Sequence, residues 1–134
     1  MNLLARREHS ETELFRKLRV RNFPETEIRT VLANLTQENL LSNSRFAENY
    51  IHYRRAKGYG PMRIRAELQE RGITEDFIEH HLNISDNAWF VDAQKVWKKR
   101  FKGQRPSDFK IRAQQMRFLQ YRGFTQEQIE SIFK

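Results

Sequence analysis

The sequence predicts an all-α fold, written as a tandem array of three three-helix repeats in an elongated, curved molecule. Three observations lead there. Apolar residues recur at spacings of three and four, as on helices with one buried face, and no segment alternates apolar and polar residues for long. Helix start and stop signals recur along the chain. Finally, "LRVRNFPETEI" (18–28), "LQERGITEDFI" (68–78) and "LQYRGFTQEQI" (119–129) superimpose without gaps, a period near 50 residues. Such a period marks a repeat array in which each unit touches mainly its neighbours.

The first repeat is assigned to residues 1–40. Only "MNLLARREH" precedes its first capped helix, so its leading helix is expected to be short or truncated. Ser10 with Glu13 forms a capping box before "LFRKL", because each can satisfy a backbone N–H that the first helical turn leaves open. Asn22 stands where the other blocks have Gly72 and Gly123. Asn is the commonest substitute for Gly at a left-handed helix stop, so the same turn is expected there.

The second repeat, 41–85, opens with "SRFAENYIHYRRAK". On a helical wheel Phe46, Ala47, Tyr50, Ile51 and Tyr53 gather on one side, which predicts a core stripe. "KGYGP" (57–61) then breaks the helix. Gly60 reads as a cap and Pro61 as the first residue of the next helix. Thr74 is read as the cap of "EDFIEHHL", with Glu75 and Asp76 at the positive end of that helix. The third repeat, 86–134, opens with "DNAWFVDAQKVWKKRF", continues through a longer loop "KGQRPSD", stops a helix at Gly123 and caps its last helix with Thr125 and Gln128.

Much chemistry is excluded. "GYG" lacks the GxxxxGK[ST] pattern, a third glycine and a leading strand, so it is no phosphate loop. His80 and His81 are neighbours on a helix, about 100° apart, and do not share a metal. With no cysteine the chain has neither disulfides nor thiolate ligands, which fits an intracellular protein. No apolar run reaches the roughly 20 residues of a membrane span. No catalytic set, metal site or cofactor is predicted.

Charge is the functional signal. The 134 residues carry 25 Lys and Arg against 17 Asp and Glu, a net charge of +8. The excess is segregated: Arg45, Arg54, Arg55, Lys57, Arg63 and Arg65 face only Glu48 within their stretch, and Lys95 to Arg117 holds nine basic residues against Asp108. Part of this is the preference of cations for helix C-termini. The rest predicts a surface for a polyanion or an acidic partner. Tyr50, Tyr53 and Trp97 are expected in the core, and Tyr59, between two glycines, at an exposed corner where it can stack on a base.

"LARREHSETEL" (4–14), "RFAENYI" (45–51), "GYGPMRIRAEL" (58–68) and "RFLQYRGFTQEQI" (117–129) resemble, in collinear order, the bacterial RecX family. The resemblance implies three tandem three-helix repeats and a cytoplasmic, non-catalytic modulator of the RecA recombinase. Such proteins bind RecA or its filament on single-stranded DNA and suppress ATP hydrolysis, strand exchange and co-protease activity. Some also bind DNA weakly. The partner-binding or DNA-binding candidates are Arg6, Arg7, Arg54, Arg55, Lys57, Tyr59, Arg63 and Arg65, with Lys98, Lys99, Arg100, Lys102, Lys110 and Arg112 in the third repeat. A monomer is expected. The family usually carries more chain ahead of "LARRE", so a short member or a trimmed chain is expected. Two other readings stay open: a stand-alone nucleic-acid-binding module using the helix after Pro61, and an adaptor for another acidic protein.

Overall fold

A computed structural model describes residues 8–134. Among them are eight helices and no strand: α1 (Glu11–Val20), α2 (Glu25–Gln37), α3 (Asn43–Ala56), α4 (Pro61–Glu70), α5 (Glu75–His81), α6 (Asn87–Phe101), α7 (Phe109–Arg122) and α8 (Gln126–Ile132). The described chain forms two compact units. One joins residues up to Tyr50 with Glu67–His81, and the other joins Ile51–Ala66 with Leu82–Lys134.

In the first unit Leu14, Leu18, Ile28 and Leu41 bury their side chains together, with Phe15, Leu32 and Leu35 packed against them. The capping box at α1 is present: the Glu13 N–H donates to Ser10 Oγ at 3.1 Å, and the Ser10 N–H donates to Glu13 Oε1 at 3.2 Å. Asn22 takes the expected left-handed backbone, with φ of 67°, and Asn39 takes the same conformation at φ 60°. Thr74 is a weaker cap than the sequence suggests, since its hydroxyl lies 3.5 Å from the Phe77 nitrogen.

The N-terminal turn of α1 also docks on the C-terminal end of α4. Ser10 Oγ donates to the Arg71 carbonyl at 2.7 Å and Arg16 Nη1 to the Glu70 carbonyl at 2.9 Å. Gly72 closes that end with φ +80°, and a Cβ there would lie 1.9 Å from Thr12 Oγ1. Glycine is thus needed twice, for its backbone angle and for the close approach. Ser10→Ala removes both the cap and the bond to Arg71, and a loss of about 2 kcal/mol is expected in urea unfolding.

The second unit repeats this docking. The Gly60 N–H donates to the Arg122 carbonyl at 2.7 Å and the Met62 N–H to the Gly123 carbonyl at 2.8 Å. Gly60 and Ser10, both first-turn caps, occupy equivalent places against the equivalent Arg122 and Arg71. A Cβ on Gly60 would lie 2.5 Å from the Gly123 carbonyl carbon. Gly123, at φ +102°, would bring a Cβ to 2.7 Å from the Arg63 nitrogen. The core here holds Ile64, Leu82, Trp89, Trp97, Leu119, Phe124, Ile129 and Ile132. Its buried polar groups are paired: Trp97 Nε1 donates to Gln115 Oε1 at 2.8 Å, and Gln128 Nε2 to the Ile84 carbonyl at 3.0 Å. Asp86 and Asp108 cap α6 and α7, and Thr125 with Gln128 forms the expected capping box.

Candidate polyanion interface

Within the second unit the end of α3, the outer face of α6 and the last turns of α7 surround an open cleft of about 650 Å³. Besides Arg55, five cations line it: Lys57, Lys95, Lys99, Arg100 and Arg122. None of the five makes an ion pair among the described residues. Asp92 is the only carboxylate in the lining, and Arg55 holds it. Arg55 Nε lies 2.5 Å from Asp92 Oδ2 and Nη2 lies 3.3 Å from Oδ1. That hydrogen bonding to Asp92 raises the Arg55 pKa above its ordinary value. The Arg55 guanidinium also lies 4.8 Å from the Trp89 ring centroid, so Arg55 ties α3 to α6.

The apolar part of the lining is Ala56, Val96 and Phe118. The Phe118 ring lies 5.5 Å from the Arg100 guanidinium and 5.2 Å from that of Arg122. Three helix C-termini meet at the cleft, and each contributes roughly half a negative charge. Their combined ~1.5 charges partly offset the five cations. The cleft stays positive.

A second cluster adjoins it through Arg122, whose Nη1 donates to the Lys57 carbonyl at 3.1 Å. The Tyr59 ring is surrounded by three guanidiniums, with Arg54, Arg63 and Arg122 at 3.8, 4.5 and 5.0 Å from its centroid. Tyr59 is therefore half-buried rather than the exposed corner the sequence suggested. The turn folds its ring back onto α4 and α7. Tyr53 departs in the opposite sense: assigned to the core stripe, it is 54% exposed. It stands in the last turn of α3, beyond the buried Phe46 and Ala47. Its hydrogen bond to Lys57, whose Nζ lies 5.0 Å from the ring, lowers the phenol pKa. Tyr121 is 74% exposed, with the Arg63 guanidinium 5.2 Å from its ring. The exposed tyrosines of this surface are thus Tyr53 and Tyr121.

The predicted residues separate accordingly. Arg55, Lys57, Lys99 and Arg100 meet at the cleft, and Arg54, Tyr59 and Arg63 form the adjoining cluster. Arg65 is half-buried on α4. Lys102 lines a shallower hollow with Gln104 and Ile111. Arg112 lines another with Arg105 and Phe133. Lys98 and Lys110 are exposed and line none of the three. Arg6 and Arg7 lie outside the described residues. Sequence reasoning left Lys95 out of the candidate set, counting it only within the basic stretch, and missed Arg122. Only its contact with the "KGYGP" turn brings it to the cleft. No group of three or more His, Asp or Glu that could hold a metal occurs among the described residues, and none of their helices is long and apolar enough to cross a membrane.

The fold defines the class first: an all-α protein of tandem three-helix domains. The family model described as "RecX, first three-helix domain" matches residues 1–35. Those for the second and third three-helix domains match residues 42–82 and 92–133. The Regulatory protein RecX of Pseudomonas entomophila (strain L48) is 50% identical over 129 residues, covering 96% of this chain and 83% of that protein. That of Ectopseudomonas mendocina (strain ymp) is 43% identical over 134 residues, covering 100% and 89%. The chain belongs to the RecX family. Two crystal structures share the fold. A regulatory protein RecX matches with TM-score 0.82 at 24% identity, over 98% of this chain and 66% of that one. RecX from Lactobacillus salivarius matches with TM-score 0.80 at 20% identity, over 98% and 87%.

Proposed function

We propose that this chain is a non-catalytic, cytoplasmic inhibitor of the RecA recombinase. It binds RecA or the RecA–single-stranded DNA filament through its basic face and suppresses ATP hydrolysis, strand exchange and co-protease activity. The observation that carries this reading is the cleft of five cations without ion-pair partners in a protein whose relatives are named regulatory proteins. A helical filament presents a repeating groove, and an array of similar three-helix repeats, taken as 1–40, 41–85 and 86–134, engages successive protomers. Each linked contact raises the effective concentration for the next. Arg6 and Arg7 of the first repeat and Lys98, Lys102, Lys110 and Arg112 of the third are the further partner-binding candidates.

In filament co-sedimentation, the protein is expected to pellet with RecA on single-stranded DNA at one copy per several protomers. Its absence from the pellet contradicts the reading.

The alternative of a stand-alone nucleic-acid-binding module requires the first turn of α4 to enter a DNA groove, where recognition helices make base contacts. That turn is occupied. Gly60 and Pro61 are buried, and Arg63 Nη1 donates to the Tyr121 carbonyl at 3.3 Å. Direct DNA contact is therefore expected to be weak and to involve phosphates. About five phosphates of a single strand would give a log–log salt slope near −3.5. Tight, sequence-selective duplex binding would favour the alternative.

A further inference from the structure

We propose that the cleft formed by α3, α6 and α7 is a binding site for a run of closely spaced phosphates. The inference rests on the polyanion reading above and assigns it a place and a ligand chemistry. Lys57 from the turn after α3, Lys95, Lys99 and Arg100 from α6, and Arg122 from α7 converge on one cleft. Like charges held this close repel one another, and a ligand carrying several negative charges relieves that repulsion. The single carboxylate, Asp92, is already taken by Arg55 at 2.5 Å, so it repels an entering anion weakly.

The Arg100 and Arg122 guanidiniums lie 5.5 and 5.2 Å from the centroid of the Phe118 ring. Stacking on an aromatic ring spends a guanidinium's face and leaves its N–H edge available, and that edge matches phosphate geometry. A volume of about 650 Å³ is that of an ordinary small-ligand site. A carboxylate-bearing partner would need several acidic side chains brought together, whereas a phosphate chain supplies adjacent charges covalently. Two sources share this chemistry: successive backbone phosphates of a single strand, and a free polyphosphate such as the tail of a nucleoside triphosphate.

The test is calorimetric binding of tripolyphosphate and of a short oligo-dT to the full chain at low salt. Both titrations omit RecA, so the result is independent of the proposed inhibition. Lys95→Glu combined with Lys99→Glu is expected to weaken tripolyphosphate binding by about tenfold or more. Arg117→Glu, exposed on α7 but outside the cleft, is expected to change it by less than about threefold. Asp92→Asn releases Arg55 and is expected to tighten binding by about threefold. A merely structural role for Asp92 would not produce that gain.

Mutual displacement of the two probes identifies the strand backbone as one occupant. Tripolyphosphate binding that oligo-dT fails to displace identifies a free polyphosphate site. The proposal is overturned if neither probe binds, if Arg117→Glu weakens binding as much as the double variant, or if Asp92→Asn weakens it while the helical circular dichroism stays intact.

Discussion

Gly123→Ala is expected to lower the stability of the protein by about 4 kcal/mol, with Gly60→Ala close behind. At Gly123 the new Cβ meets the backbone nitrogen of Arg63 at 2.7 Å and must sit at φ +102°. At Gly60 the angle is ordinary, but the Cβ meets the Gly123 carbonyl carbon and the Phe124 nitrogen, both at 2.5 Å. Backbone does not swing aside as a side chain does. The two segments must separate, and that breaks the bonds from Gly60 to Arg122 and from Met62 to Gly123. The loss is a large fraction of the roughly 5–15 kcal/mol that holds a domain folded. Asn22→Gly is the matched control. Nothing docks on that helix end among the described contacts, and a change below about 1 kcal/mol is expected. Urea unfolding followed by circular dichroism measures all three variants.

The second large effect concerns function. Lys95→Glu with Lys99→Glu is expected to raise the concentration needed for half-inhibition of RecA by about tenfold or more, with helix content unchanged. Both side chains are exposed and unpaired on α6, so the reversal removes charge without disturbing the core. Arg117→Glu, exposed on α7 outside the cleft, makes half that charge change, so general attraction alone predicts about half the effect and a local site predicts far less. Reversing Arg55 is less informative. It would set a new carboxylate against Asp92 and remove the contact with Trp89, so lost inhibition there would report damaged packing.

The helices and their caps were legible because those signals are local. Ser10 with Glu13 and Thr125 with Gln128 each satisfy their neighbours within one turn. The repeat was legible for the same reason, since identical turns leave identical residues at fixed spacing. What Gly72 and Gly123 share beyond a stop signal was not. Each also receives the first turn of another helix, Thr12 in one case and Arg63 in the other. That requirement explains why Asn suffices at position 22, where only the left-handed angle is needed.

The site was half legible. Charge segregation pointed to Lys57, Lys99 and Arg100, but it could not separate them from Lys98, one residue away on α6 and outside the cleft. The aromatic assignments failed at Tyr53 and Tyr59 because a helical wheel ignores where a helix ends and what a turn folds against. Tyr53 lies past the buried part of its stripe, and Tyr59 is covered by arginines that include Arg122, distant in sequence.

Inhibition of the recombinase is read from the ATPase rate of RecA on single-stranded DNA with this protein titrated in. The rate is expected to fall at one copy per several RecA protomers, and the Lys95 and Lys99 reversals are expected to restore it. An unchanged rate with folded protein at equal stoichiometry would contradict the account.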